Sequence, residues 1–287
     1  MPNDNRRING PENTASYRLF SKENAHTNLQ KKIKEMVKTN KRLGGRKALE
    51  QRKVFLKCDV VSQAKGSAYF EVDNTKVVVS VYDPREIPKK TDYSLKGELY
   101  CVFKFAPFSC LNRKGYQQDA EEKQNSAILK RALESAVCRH KFPNFQVDVY
   151  VLVLENDGSA LSASITAAGV ALAQAGIPMY DTITAATLGI QGDVKILDPT
   201  SEEESLCNIA VYKSEGEKKY ESHGIIILAM LSTHEQVSEL YQTGNLSLEI
   251  VNEAVTILSK ATKEIVPLVE KCLVNHVTKN LKADIEN

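Results

Sequence analysis

The sequence predicts an α+β protein: two β-α lobes of similar layout around a central small-residue helix. Three observations carry this. Short alternating strands fill much of residues 52–108 and 145–157, with a helical stripe between them at 117–142. Residues 158–180 then contain no Lys, Arg, Asp, Glu or His. After Pro178 strands and helices follow again in a comparable order. At 287 residues the chain can hold one large or two moderate domains around a sizeable core.

The chain divides into a polar N-terminal extension (1–40), a first lobe (41–176) and a second lobe with C-terminal helices (177–287). The extension is poor in large aliphatics and reads as mostly irregular, helical across 27–38. Its cationic run "KKIKEMVKTNKR" (31–42) reads as a solvated helix or tail before it reads as an RNA-binding arm. In the first lobe "RKVFLKCDVV", "GSAYFEV" and "TKVVVSVYDP" alternate as strands, the last two joined by a hairpin-like turn at Val72-Asp73-Asn74. "GELYCVFKFAPF" (97–108) is a further strand. Ile128, Leu129, Ala132, Leu133, Ala136 and Val137 then repeat at helical spacing, and "FQVDVYVLVLEND" (145–157) returns to strand alternation.

The central helix has its start and stop written around it. Asp157 or Ser159 can cap its first N–H groups, Gly158 permits the turn, Gly176 suits a left-handed C′ position and Pro178 prevents continuation. A helix with no charged face is buried on most sides, and small residues let neighbouring backbones approach closely. It therefore lies between a sheet and another element. Beyond it, "TITAATLGI" and "VKILD" read as strands around Gly192-Asp193, and "LCNIAVYKSEG" and "HGIIILAML" as two more. Helices at 233–242 and 247–283 end the chain, with Pro267 expected to bend or break the second.

Composition excludes several classes. Net charge is +2, so a nucleic acid would have to meet local patches and not the whole surface. The six cysteines lie in apolar runs without a CxxC pair, which favours buried free thiols over a disulfide framework. The N-terminus carries no apolar signal-peptide run, and the neutral stretch is too rich in Gly, Ser and Thr to span a membrane. His234-Glu235 lacks the second His, at Ser238, of a zinc helix. No cofactor and no metal site is expected.

"NDGSALSASITAAGVALAQAGIPMYDTITAATLGI" followed by "LDPTSEEE" resembles the RNase PH family: an Asp-Gly turn, a small-residue helix ending in Ala-Gly-Ile-Pro, and an Asp opening the next strand. Upstream, Arg42-Leu43-Gly44-Gly45-Arg46 resembles that family's Arg-x-Asp-Gly-Arg motif, and "GSAYFEVDNTKVVVSVYDP" its first hairpin. The resemblance covers roughly residues 42–270. It implies an RNase PH-like fold, phosphate-dependent 3′-to-5′ exoribonuclease chemistry and assembly into six-membered rings.

Phosphorolysis needs an anion site, cationic contacts to RNA, and carboxylates for a metal or for proton transfer. On the positions that the resemblance aligns, this sequence lacks all three. Ala160 and Leu161 stand where active relatives place Thr/Ser-Arg at the helix head. Glu121 falls at or near a cationic position, in a cluster with Asp119 and Glu122. Glu202 and Asn208 fall where two acids stand six residues apart. The "EEE" run at 202–204 reads as a solvated strand-end loop and not as a metal site.

The resemblance thus implies a catalytically inactive ring subunit of the RNA exosome, of the mRNA-transport-regulator type, in nucleus, nucleolus and cytoplasm. Its partners would be other RNase PH-like ring subunits, a cap subunit, and RNA in the assembled channel, with no membrane. Arg85, Lys89, Lys90, Arg113 and Lys114, on two loops that face the channel in the family, are the RNA-contact candidates. The alternatives are an active phosphorolytic exoribonuclease using Asp198 and Glu202, and an RNA-binding module outside any exosome.

Overall fold

The computed structural model describes residue 42 and residues 45–87, 93–110, 113–209 and 222–286. The extension at 1–40, Lys89 and Lys90 lie outside them.

Alternating residues build a first sheet from β1 (Val54–Cys58), β2 (Gly66–Val72), β3 (Thr75–Val81), β4 (Arg85–Glu86), β5 (Glu98–Phe105) and β6 (Phe145–Glu155). β1, β2, β3 and β6 follow one another antiparallel, and β5 lies parallel along β6 in the register Glu98–Gln146 to Phe105–Val153. A parallel neighbour requires a crossover. α1 (Ala120–Ala136) supplies it, covering β5 with Ile128, Leu129, Ala132 and Leu133. The β2–β3 turn is the expected two-residue hairpin, with Val72 opposite Thr75 and Asp73 at φ +55°. The two-residue β4, which continues along the β3 edge of β6, was not anticipated from the sequence.

The second sheet has the order β10-β9-β7-β8, all antiparallel: β7 (Ile183–Gln191), β8 (Val194–Leu197), β9 (His223–Leu231) and β10 (Gln236–Asn245). All nine residues of β7 are buried, the pattern of a strand covered on both faces. One face meets α2 (Ala160–Gln174), the neutral helix; the other meets the first half of α4 (Leu248–Glu286) through Ala254, Leu258 and Ala261.

α2 is the middle layer, with β2 and β3 on one side and β7 on the other, and every residue from Ala160 to Leu172 is buried. Two glycines measure the closeness. A Cβ on Gly66 would stand 2.2 Å from the Ala171 carbonyl oxygen, and one on Gly169 would stand 2.6 Å from Cγ2 of Ile183. The helix is uncharged and small because a sheet packs closely against it from each side. Gly176 takes φ +73° beyond its end, as expected. No helix among the described residues is long and apolar enough to cross a membrane.

Three expected elements differ. Residues 233–242 form most of β10 and not a helix: Val237, Leu240 and Tyr241 fall at helical spacing, but pairing with β9 across a tight turn at Thr233–Glu235 decides the outcome. "LCNIAVYKSEG" does not open as a strand, since α3 (Ser201–Cys207) takes its first residues and 210–221 lie outside the described residues. α4 runs unbroken through Pro267.

Candidate active site

The head of α2, where the resemblance places the family's anion site and this sequence has Ala160 and Leu161, is built from below. Gly158 sits at φ +84° with Pro199 so close that a Cβ would stand 2.4 Å from its carbonyl oxygen. The Gly158 carbonyl accepts from Thr75 Oγ1 at 2.8 Å and from Arg52 Nη2 at 3.2 Å, and the Asp157 carbonyl accepts from Arg52 Nη1 at 2.8 Å. Arg52 in turn grips Asp198, with Nε to Oδ2 at 2.8 Å and Nη2 to Oδ1 at 2.6 Å. Burial pushes the Asp198 carboxyl up, but hydrogen bonds and charge from Arg52 outweigh it and hold the group below its ordinary range. Asp198 is thereby committed to fixing the turn.

Neither expected cap forms. Ser159 is left-handed at φ +57° and its hydroxyl donates to the Pro199 carbonyl at 3.3 Å; the Asp157 carboxylate faces Asn74 at 3.3 Å. The Ser159 N–H instead donates to Oε1 of Glu204 at 2.7 Å. A carboxyl group of the chain itself therefore stands at the helix head, where backbone N–H groups would otherwise face an anion.

Glu204 is held there by α3, whose first turn is a capping box. Thr200 Oγ1 accepts from the Glu203 N–H at 3.5 Å, and Glu203 Oε2 accepts from the Thr200 N–H at 2.9 Å. Glu203 is buried against Arg42, whose Nε lies 2.8 Å from Oε1 and whose Nη2 lies 2.9 Å from Oε2. The run 202–204 is thus not a solvated loop: one of its three carboxylates is in a buried ion pair and another is on the helix head. Burial pushes the Glu204 carboxyl up to about 7, against the Ser159 N–H and the charge of Arg52, with Asp198 and Glu121 adding to the rise.

The positions singled out by sequence fall as follows. Ala160 and Leu161 are buried in the first turn of α2. Glu121 lies in the first turn of α1, near enough to Glu204 to raise it, and is paired with Lys114 at 2.9 Å. Glu202 and Asn208 are exposed on α3 and at its C-cap; six residues of helix turn them about 120° apart, so they do not converge on one ion. Among the described residues no group of three or more His, Cys, Asp or Glu side chains is placed to hold a metal.

The cation candidates do not form one patch. Arg85 pairs with Gln146 through β4 and contacts Asp148 at 2.7 Å, with its side chain 54% exposed. Arg113 and Lys114 follow β5, whose last residue is opposite Val153. Those two ends of β6 lie roughly 20 Å apart. Lys114 also reaches Asp119 at 3.8 Å and stands 5.1 Å over the Phe105 ring.

Arg52, Glu203 and Glu204, which build the helix head, were not anticipated. The Thr200-x-x-Glu203 capping signature was present to announce α3. Nothing local marked Arg52, whose partners at the turn and at Asp198 are 105 to 146 residues away.

Residues 50–178 match the 3′ exoribonuclease family, domain 1. The exosome complex component RRP41-like protein of Arabidopsis thaliana is 34% identical over 229 residues, 80% of this chain and 82% of its own length. The exosome complex component MTR3 of Mus musculus is 31% identical over 291 residues, 96% of each chain. Among solved structures, an Archaeoglobus fulgidus exosome with RNA bound to the active site superposes with a TM-score of 0.70 at 21% identity, covering 83% of this chain and 96% of that one, a likeness of fold.

Proposed function

The chain belongs to the RNase PH family of 3′ exoribonucleases, and from that premise we propose that it is a non-catalytic subunit of an RNA exosome ring. One observation carries the reading: Glu204 accepts the Ser159 N–H at the head of α2, where the family resemblance places inorganic phosphate. A phosphate there would meet a carboxylate instead of a guanidinium, Leu161 in place of a cation, and Glu121 nearby. Arg52 is spent on Asp198 and the turn carbonyls, and Arg46 stands 3.8 Å from the same carboxylate. The same geometry weighs against an active enzyme using Asp198 and Glu202, because the first is locked to Arg52 and the second lies exposed on α3.

In this reading the retained fold serves assembly with other RNase PH-like subunits and a cap subunit, and Arg85, Lys89, Lys90, Arg113 and Lys114 are the candidates for contact with RNA passing the ring. The names of the relatives support it, since both are exosome components. The test is affinity purification of the tagged full chain followed by mass spectrometry and sizing. Co-purification of RNase PH-like and cap subunits in one stable assembly is the expected result. A clean monomer that binds RNA alone would overturn it.

A further inference from the structure

Two cysteines 214 residues apart in sequence meet where the first sheet touches the C-terminal helix. Cys58 ends β1 and Cys272 lies in α4, and their sulfurs are 3.2 Å apart as free thiols. The backbones that carry them are fixed independently of this contact. β1 is paired with β2 from Val54–Val72 to Cys58–Ala68, and α4 is anchored one and two turns earlier by Ile265 and Val269 in the main core. A disulfide needs sulfurs about 2.04 Å apart, so each would move by roughly 0.6 Å.

We propose that Cys58 and Cys272 are a redox-sensitive pair, closed to a disulfide by a low-molecular-weight disulfide such as oxidised glutathione, which locks the C-terminal helix to the edge strand β1. Cys272, partly buried, is the thiol that a soluble oxidant reaches first, since Cys58 is buried. Its thiolate attacks one sulfur of the oxidant and releases one small thiol, leaving a mixed disulfide. The Cys58 thiolate then attacks the Cys272 sulfur and releases the second small thiol. Two electrons pass to the oxidant, and the two protons lost by the cysteines end on the released thiols.

Burial, together with the hydrogen bond to Cys272, pushes the Cys58 thiol up to about 12. Closure is therefore slow at neutral pH and quickens as pH rises. The consequence is long-range. α4 covers the second sheet with its first half and reaches β1 with its second, so one bond ties both sheets together. It also holds the base of the last helical turns, where Val274, Val277 and Leu281 are exposed.

The test uses the full chain incubated with oxidised glutathione at pH 8, then denatured in an alkylating agent. The thiol count should fall from six to four, non-reducing peptide mapping should join the Cys58 and Cys272 peptides, and dithiothreitol should reverse both. Cys58→Ser, checked for an unchanged melting temperature, should keep all five of its thiols free of any intramolecular bond. Hydrogen exchange across the last turns of α4 should slow at least tenfold on oxidation of the wild type. Six free thiols, a stable glutathione adduct without a cross-link, or a cross-link through other cysteines would each overturn the proposal.

Discussion

The backbone N–H of Ser159 donates to Oε1 of Glu204 at 2.7 Å, so a carboxylate of the chain closes the turn into its central helix. Because burial raises Glu204 to about 7, above its ordinary 4.5, its protonated form is the one the fold favours. The stability it contributes is complete below about pH 4.5 and is lost as pH rises through 7. Glu204→Gln keeps the acceptor and removes the charge. Its melting temperature should match the wild type near pH 5 and exceed it at pH 8 by several degrees, a difference on the order of 2–3 kcal/mol. Parallel melting curves across that range would refute a raised carboxyl.

Arg52 and Asp198 give a prediction of opposite sign. Asp198 is held below its ordinary 3.8, so its contribution is present above that value and disappears as pH falls through the lowered one. Removing Asp198 leaves a buried guanidinium without the carboxylate it grips. Asp198→Ala should cost about 3–5 kcal/mol in urea denaturation. A variant as stable as the wild type would show that Asp198 does not fix the helix head and would reopen it to a chemical role.

Close packing on both sides of α2 is testable at two glycines. Gly66→Ala would press a methyl against the Ala171 carbonyl, and Gly169→Ala against Ile183. Alanine favours a helix over glycine by about 1 kcal/mol. Even so, Gly169→Ala should destabilise by about 1–3 kcal/mol, because the strain of overpacking exceeds the propensity gain. A stabilised Gly169→Ala would mean that α2 and β7 are farther apart than described.

The candidate cations Arg85 and Lys114 are predicted to differ in their RNA contact. Arg85 is half-exposed beside one acid, whereas Lys114 is enclosed by Glu121, Asp119 and the Phe105 ring. In the assembled ring, Arg85→Ala should lower the salt slope of RNA binding by about 1, and Lys114→Ala by less. Binding isotherms at several salt concentrations check this, and equal slopes for wild type and Arg85→Ala would remove Arg85 from the channel.

Much of this architecture is legible in the residues because period and burial agree. The strands of the first sheet alternate, α1 carries an unbroken stripe, and the lack of charge in α2 announces a helix covered on all sides. Where the reading failed, a partner outside the segment decided its local state. Val237, Leu240 and Tyr241 mimic a helix until β9 pairs with them. Glu203 looks like one of three solvated acids until Arg42 arrives from 161 residues away. At the candidate site the sequence offers an expectation of losses at Glu121, Ala160 and Leu161, but the contact of Glu204 with the helix head is not legible in it. That depends on α3 folding back over a turn whose geometry is set by Arg52.

The central claim is that the phosphate position at the head of α2 is filled from within, and it is tested most directly by phosphorolysis. The purified full chain, and the ring assembled from it with partners inactivated at their own sites, would be given oligo(A), magnesium and inorganic phosphate. The account predicts no nucleoside diphosphate from either. Phosphate-dependent release of nucleoside diphosphates, abolished by Asp198→Asn or Glu202→Gln, would contradict it.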